Sequence, residues 1–100
     1  MFEVKSRIND NKMTVELIGQ LDTQAAAKLD AEIRPYLEMV HDIVFDASEL
    51  IYISSSGLRI LLSAKKNIDL IGGTVKIINT PGPVRSIFDV TGFSEILDIG

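Results

Sequence analysis

The fold is decided by residues 46–62, which read DASELIYISSSGLRILL. Leu50–Ile53 has the apolar, β-branched and aromatic content of a strand, and it ends abruptly at three serines and Gly57. From Leu58 onward, apolar residues recur at helical spacing as far as Ile71, and a pair of glycines follows. This stretch therefore predicts a strand that passes through a tight serine turn directly into an amphipathic helix.

The chain before this stretch predicts a β-hairpin and a helix. Apolar and polar side chains alternate over residues 2–8 and 13–18, around an Asn-Asp-Asn turn. An oxygen of Asp22 or Thr23 can cap the free N–H groups of a helix, and the apolar residues that follow recur at helical spacing. We expect this first helix to be kinked or stopped near Pro35.

A continuous apolar run at Ile43–Phe45 predicts a central strand covered by helices on at least one face. Ala47–Glu49 interrupts the pattern before Leu50, so we predict an irregular segment between two strand-like stretches. The C-terminal elements expected are a strand at 74–78, a helix opened by Pro83 and ended by Gly92, and an extended segment at 96–99. We therefore predict one α/β domain over residues 1–100, with a mixed β-sheet, an N-terminal hairpin and amphipathic helices packed on the sheet.

The composition argues against several classes of function. The chain has 10 basic and 14 acidic residues, a net charge of -4 and no Lys/Arg stripe, so we expect no nucleic acid partner. It has no cysteine and one histidine, so we expect no disulfide, no metal site and no cofactor. Neither a signal-peptide pattern nor an apolar run of about 18 residues occurs, so we expect a cytoplasmic protein without direct membrane contact.

A serine between a strand and a helix also resembles the nucleophile elbow of an α/β-hydrolase. That elbow needs a glycine two residues before and two after the serine, and only Gly57, two after Ser55, fits. The single histidine, His41, precedes the strand at Ile43, which places it roughly 15 Å from the sheet edge where the serine would lie. We therefore expect no catalytic residue and no enzymatic activity, and we interpret His41 as a solvated loop residue.

The three serines can be interpreted in two ways. If Ser54 is the N-cap of the helix, Ser55 and Ser56 occupy its first turn, where unpaired N–H groups and the helix dipole favour a negative charge such as a phosphoryl group. Alternatively, the serines and Gly57 form an ordinary capped loop, because serine is a preferred N-cap residue. The lysine and the longer glycine-rich stretch of a Walker-type phosphate loop are absent. The residues alone leave both interpretations open.

The sequence resembles the sulfate transporter and anti-sigma factor antagonist (STAS) domains, and within them the small, free-standing bacterial anti-sigma factor antagonists. Residues 46–58 are similar to the family pattern of aspartate, small residue and serine, then an aromatic-apolar pair, and finally an acidic residue, two hydroxyl residues, glycine and leucine. Gly19-Gln20-Leu21-Asp22 resembles the family's turn ahead of the first helix. Ser54 departs from the pattern, because the family usually has an aspartate at that position.

The resemblance implies a protein–protein switch. In this family the unphosphorylated antagonist binds an anti-sigma factor that is also a serine kinase, and a sigma factor is released. Phosphorylation by that kinase inactivates the antagonist, and a serine phosphatase resets it. Carried over by position, the phosphoacceptor is Ser55, with Ser54 and Ser56 as competing acceptors. The residues expected to contact the partner are Asp22, Ser54, Ser56, Gly57 and Arg59.

The departure at Ser54 supports an alternative function. In this alternative the STAS module is never phosphorylated and serves as a scaffold or as a ligand-binding module of another signalling or transport system. Asp22 also has a second interpretation, as a plain helix N-cap without a role in partner binding.

Overall fold

The chain forms five strands and three α-helices in a computed structural model that describes residues 1–100. The elements are β1 (Phe2–Asn9), β2 (Lys12–Leu21), α1 (Thr23–Ile33), β3 (Asp42–Ile53), α2 (Ser55–Asp69), β4 (Thr74–Ile78), α3 (Gly82–Thr91) and β5 (Asp98–Ile99), with 3₁₀ turns at Arg34–Tyr36 and Phe93–Glu95. The sheet order is β1-β2-β3-β4-β5. β1 pairs antiparallel with β2, and the remaining pairs are parallel. The predicted mixed sheet with an N-terminal hairpin is confirmed.

One face of the sheet carries the hydrophobic core. Two rows of buried side chains cross the three central strands: Met13–Ile43–Val75 and Val15–Phe45–Ile77. The intervening row on the opposite face, Thr14–Val44–Lys76, is half-buried or exposed. All three helices contribute buried residues to a single cluster of 24 side chains, so they cover the first face and leave the second open to solvent.

β3 is one continuous strand of 12 residues, not two strand-like stretches around an irregular segment. Its pairing with β2 shifts twice, because Glu16 faces Asp46 whereas Ile18 faces Glu49, and a second shift lies opposite Gly19/Gln20. Each shift accommodates an extra residue in β3 as a β-bulge. The Ser48 N–H donates to Asp46 Oδ1 at 3.0 Å within the first shift. The sequence pattern breaks at residues 47–49 because of these bulges, while the strand itself continues.

Two predicted boundaries near the ends of helices need correction. α2 ends at Asp69, so Ile71 lies beyond the helix and is 48% exposed instead of extending the buried stripe. Gly72, with φ of 76°, takes the left-handed conformation that ends the helix. In the C-terminal segment only Asp98–Ile99 is a strand, because a 3₁₀ turn occupies the residues before Ile96.

The other helix boundaries agree with the sequence prediction. α1 ends at Ile33, and Pro35 lies in the 3₁₀ turn that follows. α3 has Pro83 in its first turn and ends at Thr91, and Gly92, with a φ of 82°, caps its C-terminus. None of the helices combines the length and the hydropathy that crossing a lipid bilayer requires.

Candidate functional site at the starts of two helices

Two helices begin side by side at the C-terminal ends of β2 and β3. β2 and β3 run parallel, and their last residues, Leu21 and Ile53, are paired. The Ser54 N–H extends this pairing by donating to the Leu21 carbonyl oxygen at 2.9 Å. The next residue of each chain segment starts a helix, so Asp22 and Ser54 mark the neighbouring N-termini of α1 and α2.

Both residues cap their helices with a side-chain oxygen. Ser54 Oγ accepts a hydrogen bond from the Gly57 N–H at 3.2 Å, and Asp22 Oδ1 accepts one from the Ala25 N–H at 2.9 Å. Each bond satisfies one of the N–H groups that a helix leaves free at its start. The structure thus places Ser54 at the N-cap, as the sequence predicts, and it shows that Asp22 has the capping role that we named as its alternative.

The three serine hydroxyls differ in accessibility. Ser55, the first residue of α2, is exposed, and its hydroxyl makes no hydrogen bond within the chain. Ser54 and Ser56 are half-buried, and the Ser54 hydroxyl is engaged in the cap. Ser55 therefore presents the freest hydroxyl at this end of the two strands.

Gly57 lets α2 approach the ends of β2 and β3 closely. The residue is buried, and a Cβ at this position would lie 2.8 Å from Leu21 Cγ and 3.0 Å from Ile53 Cγ1. Gly57 thus offers no side chain to a partner, and its contribution is to position the serines. Arg59, by contrast, is exposed on α2 one turn after Ser55.

The strand that leads into the serines exposes two large apolar side chains that sequence reasoning missed. Ile51 is 64% exposed and Tyr52 is 47% exposed. In the sequence they belong to an apolar run typical of a buried strand, but the second bulge of β3 lies at this point and turns them away from the core. Alternation of apolar residues carries no signal for such a bulge. Their location four and three residues before Ser55 adds them to the surface around the serines.

His41 lies at the opposite end of β3 from the serines. It directly precedes β3, and the serines follow the end of that 12-residue strand. The separation is therefore larger than the roughly 15 Å expected from a strand of four to five residues. The His41 Nδ1 lies 3.2 Å from Asp42 Oδ1, and the ring is exposed. No group of three or more histidine, cysteine or acidic side chains is placed to hold a metal ion.

Comparison with known proteins identifies the fold family. The family model described as STAS domain matches residues 3–100. The chain belongs to the STAS domain family. A curated relative, the anti-sigma-B factor antagonist of Bacillus subtilis (strain 168), is 29% identical over 91 residues, which cover 91% of this chain and 84% of the relative.

Solved structures of other antagonists share this STAS fold. An anti-sigma factor antagonist from Mycobacterium paratuberculosis superposes with a TM-score of 0.86 at 21% identity, covering 99% of this chain and 85% of the other. The Bacillus cell fate determinant SpoIIAA in its phosphorylated form gives a TM-score of 0.76 at 20% identity, covering 100% and 91%. Its unphosphorylated form gives 0.77 at 19%, covering 100% and 87%. At these identities the likeness shows the fold, which confirms the architecture predicted from the sequence.

Proposed function

We propose that this STAS domain is an anti-sigma factor antagonist that is switched off by phosphorylation of Ser55. The observation that carries the proposal is the exposed, unbonded Ser55 hydroxyl in the first turn of α2. The chain's similarity to an anti-sigma-B factor antagonist over nine-tenths of its length supports the same role. The partner of the unphosphorylated form is an anti-sigma factor that is also a serine kinase, and both act in the cytoplasm.

Phosphorylation changes the surface of the domain while its fold is retained. The kinase transfers the γ-phosphoryl group of ATP to Ser55 Oγ: the O–P bond to Ser55 forms, the bond between the γ-phosphorus and the bridging oxygen breaks, ADP leaves and the hydroxyl proton passes to solvent. The phosphate adds about 1.5 to 2 negative charges, which the start of a helix tolerates. The Ser54 cap does not involve the Ser55 hydroxyl and persists. A partner surface that fits a hydroxyl must then desolvate a dianion, which weakens the complex. A serine phosphatase removes the group and restores binding.

An enzymatic role for Ser55 lacks the groups that it needs. A serine nucleophile requires a general base within hydrogen-bond reach. The one histidine lies at the other end of β3, and the neighbouring carboxylate, Asp22, is engaged with the Ala25 N–H. Ser55 is therefore proposed as an acceptor of a phosphoryl group, with no catalytic function of its own.

The test uses three variants of the full chain with the cognate anti-sigma kinase and ATP. Ser55→Ala should stay folded, bind the kinase and remain unphosphorylated. Ser55→Asp should stay folded and bind at least tenfold more weakly. Ser63→Ala, an exposed serine two turns along the same helix, should be phosphorylated and should bind like the parent chain. Binding is measured by titration, and the modified residue is mapped by mass spectrometry.

Two outcomes contradict the proposal. Phosphorylation of Ser55→Ala at the parent rate assigns the acceptor to Ser54 or Ser56. Binding without phosphorylation of the parent chain supports the alternative, a STAS scaffold or ligand-binding module that is never phosphorylated. The observation that favours this alternative is the neutral Ser54 at the N-cap, where family members usually place an aspartate.

A further inference from the structure

Ion pairs on the helices join residues four positions apart, and Arg59 takes part in none of them. Three of the four ion pairs in the chain join a basic and an acidic residue four positions apart on, or at the end of, a helix: Asp30–Arg34, Lys65–Asp69 and Arg85–Asp89. The fourth joins His41 to its neighbour Asp42 and is an ion pair only when the ring is protonated. Arg59, one turn after the start of α2, is exposed and has no carboxylate partner, and the same holds for Lys28 on α1 and Lys66 on α2. Of these three residues, Arg59 is the one that lies within about one helical turn of the serines.

The residues around Arg59 on its own helix are all uncharged. The positions three and four residues before it are Ser56 and Ser55, and those three and four residues after it are Leu62 and Ser63. Side chains on a helix lean toward its N-terminus, so the Arg59 guanidinium can reach the turn that begins at Ser55. Residues at i and i+4 are neighbours on a helix surface. Ser55 therefore stands to Arg59 as Asp30 stands to Arg34, four positions before the arginine, whereas in the other two pairs the carboxylate follows the basic residue.

We propose that Arg59 is the internal counter-ion of a phosphate on Ser55. This inference rests on the proposed function and assigns a role to a residue that does not receive the phosphate. The guanidinium has a planar fork of donors that matches phosphate oxygens in two parallel hydrogen bonds. In the unmodified chain Arg59 is free to contact a carboxylate of the partner. In the phosphorylated chain it is occupied, so the modification adds negative charge and withdraws a positive charge at the same time.

Three groups act on the charge of such a phosphate, and they differ in sign. The free N–H groups at the start of α2 and the Arg59 guanidinium favour the dianion and lower the second pKa of the phosphate. Asp22, at the neighbouring start of α1, carries a like charge and opposes them. The contribution of Arg59 to the pKa of the phosphate can be measured separately, because its side chain can be changed without altering the cap of either helix.

The pairing is tested on the full chain with phosphoserine installed at position 55 during synthesis, so that no kinase is needed. Phosphorus NMR follows the second ionisation of the phosphate, which lies near pH 6 in an unperturbed phosphoserine. Arg59→Gln should raise the pKa of the phosphate by about 0.3 to 0.7 pH unit. Arg59→Lys should raise it by less, because the ammonium keeps the charge and loses the fork.

The matched control is Lys66→Gln, which removes one positive charge from the same helix 11 residues from the phosphate. It should leave the pKa of the phosphate unchanged. Equal shifts in Arg59→Gln and Lys66→Gln, or no shift in either, overturn the pairing. The NMR result does not depend on any kinase: a shift confined to the Arg59 variants supports the pairing even if the cognate kinase leaves Ser55 unmodified, and that second result contradicts only the proposed function.

Discussion

At the scale of single residues, Gly57 is a position in the candidate site at which the structure leaves no room for a side chain. Its requirement is not the backbone freedom of glycine, because Gly57 lies in α2 and has no positive φ. The requirement is steric, since the Leu21 and Ile53 side chains occupy the volume of a Cβ. Because Gly57 has no Cβ, the first turn of α2 packs directly against Leu21 and Ile53, and this packing fixes the position of the serines.

This steric account predicts a cost for Gly57→Val. The added atoms must displace Leu21 or Ile53 from a packed core, so we expect the free energy of unfolding to fall by about 1–3 kcal/mol. Gly82→Val is the control: it is also a glycine in the first turn of a helix, but nothing lies within 4 Å of its Cβ position. Urea denaturation measures both variants. Equal losses of stability would show that the packing around Gly57 is not the cause.

Single-residue roles could be predicted from the sequence only where they depend on the near neighbours. The capping role of Ser54 follows from its location between an apolar strand and an amphipathic helix. The requirement for Gly57 depends on Leu21, which is 36 positions away in the chain. The exposure of Ile51 and Tyr52 depends on how β2 pairs with β3. No local pattern carries such information.

At the scale of elements, the start of α2 depends on one hydroxyl. Ser54→Ala removes the oxygen that accepts from the Gly57 N–H, so we expect a loss of about 0.5–2 kcal/mol in the free energy of unfolding. Ser55→Ala removes a hydroxyl that makes no bond and should change stability by less than about 0.5 kcal/mol. Thermal or urea unfolding distinguishes the two adjacent changes. A larger loss in Ser55→Ala would contradict the assignment of the cap.

The two faces of α2 should respond differently to truncation. Leu61 is completely buried, and we expect Leu61→Ala to lower the free energy of unfolding by about 2–5 kcal/mol. Arg59→Ala, on the exposed face, should stay within about 0.5 kcal/mol of the parent chain. Both are measured by urea denaturation. If Arg59→Ala proved the more damaging change, the orientation of α2 would be wrong.

Helix faces were predictable because the helical repeat of apolar residues is read directly from the sequence. The stripe from Leu58 to Ile68 is buried as the spacing indicates. The stripe fails at Ile71 because the helix has ended before the left-handed Gly72, and the next residue, Gly73, has the His41 carbonyl oxygen at its Cβ position. That contact joins two distant loops. The bulges of β3 could not be predicted from the sequence either, because they are defined by how β3 pairs with β2.

At the scale of the whole molecule, two carboxylates on β3 link stability to pH. Partial desolvation raises the pKa of Asp46. Hydrogen bonds from Ser48 and from Asn79 together lower it by more, so the pKa lies below its ordinary value. The Thr74 hydroxyl donates to Asp42 at 2.7 Å and likewise lowers the pKa of that group, despite a smaller opposing effect of desolvation. Both groups bind protons more weakly in the folded state than in the unfolded state.

A depressed pKa stabilises the fold above the pKa of the unfolded state, near 3.9 for aspartate, and this contribution is lost as the pH falls through the folded pKa. We therefore expect the free energy of unfolding to decrease below about pH 4. In Asp46→Ala the free energy of unfolding should decrease less with falling pH. The difference in this free energy between the variant and the parent chain therefore narrows toward pH 2. Urea denaturation at a series of pH values measures this difference. A difference that stays constant from pH 7 to pH 2 would contradict the account.

The order of strands in the sheet is the order of strands in the chain, and this has a consequence for synthesis. Each strand after β1 pairs with the strand directly before it in the chain. A chain that emerges from the ribosome can form the hairpin first and then add β3, β4 and β5 in turn, with each helix covering the strands behind it. No strand has to insert between two that are already paired, or wait for a partner that has not yet been translated. Pairing between successive strands limits the separation of paired residues to 30 positions for Lys12 and Asp42 and 32 for Asp42 and Thr74, so each new strand finds its partner already made.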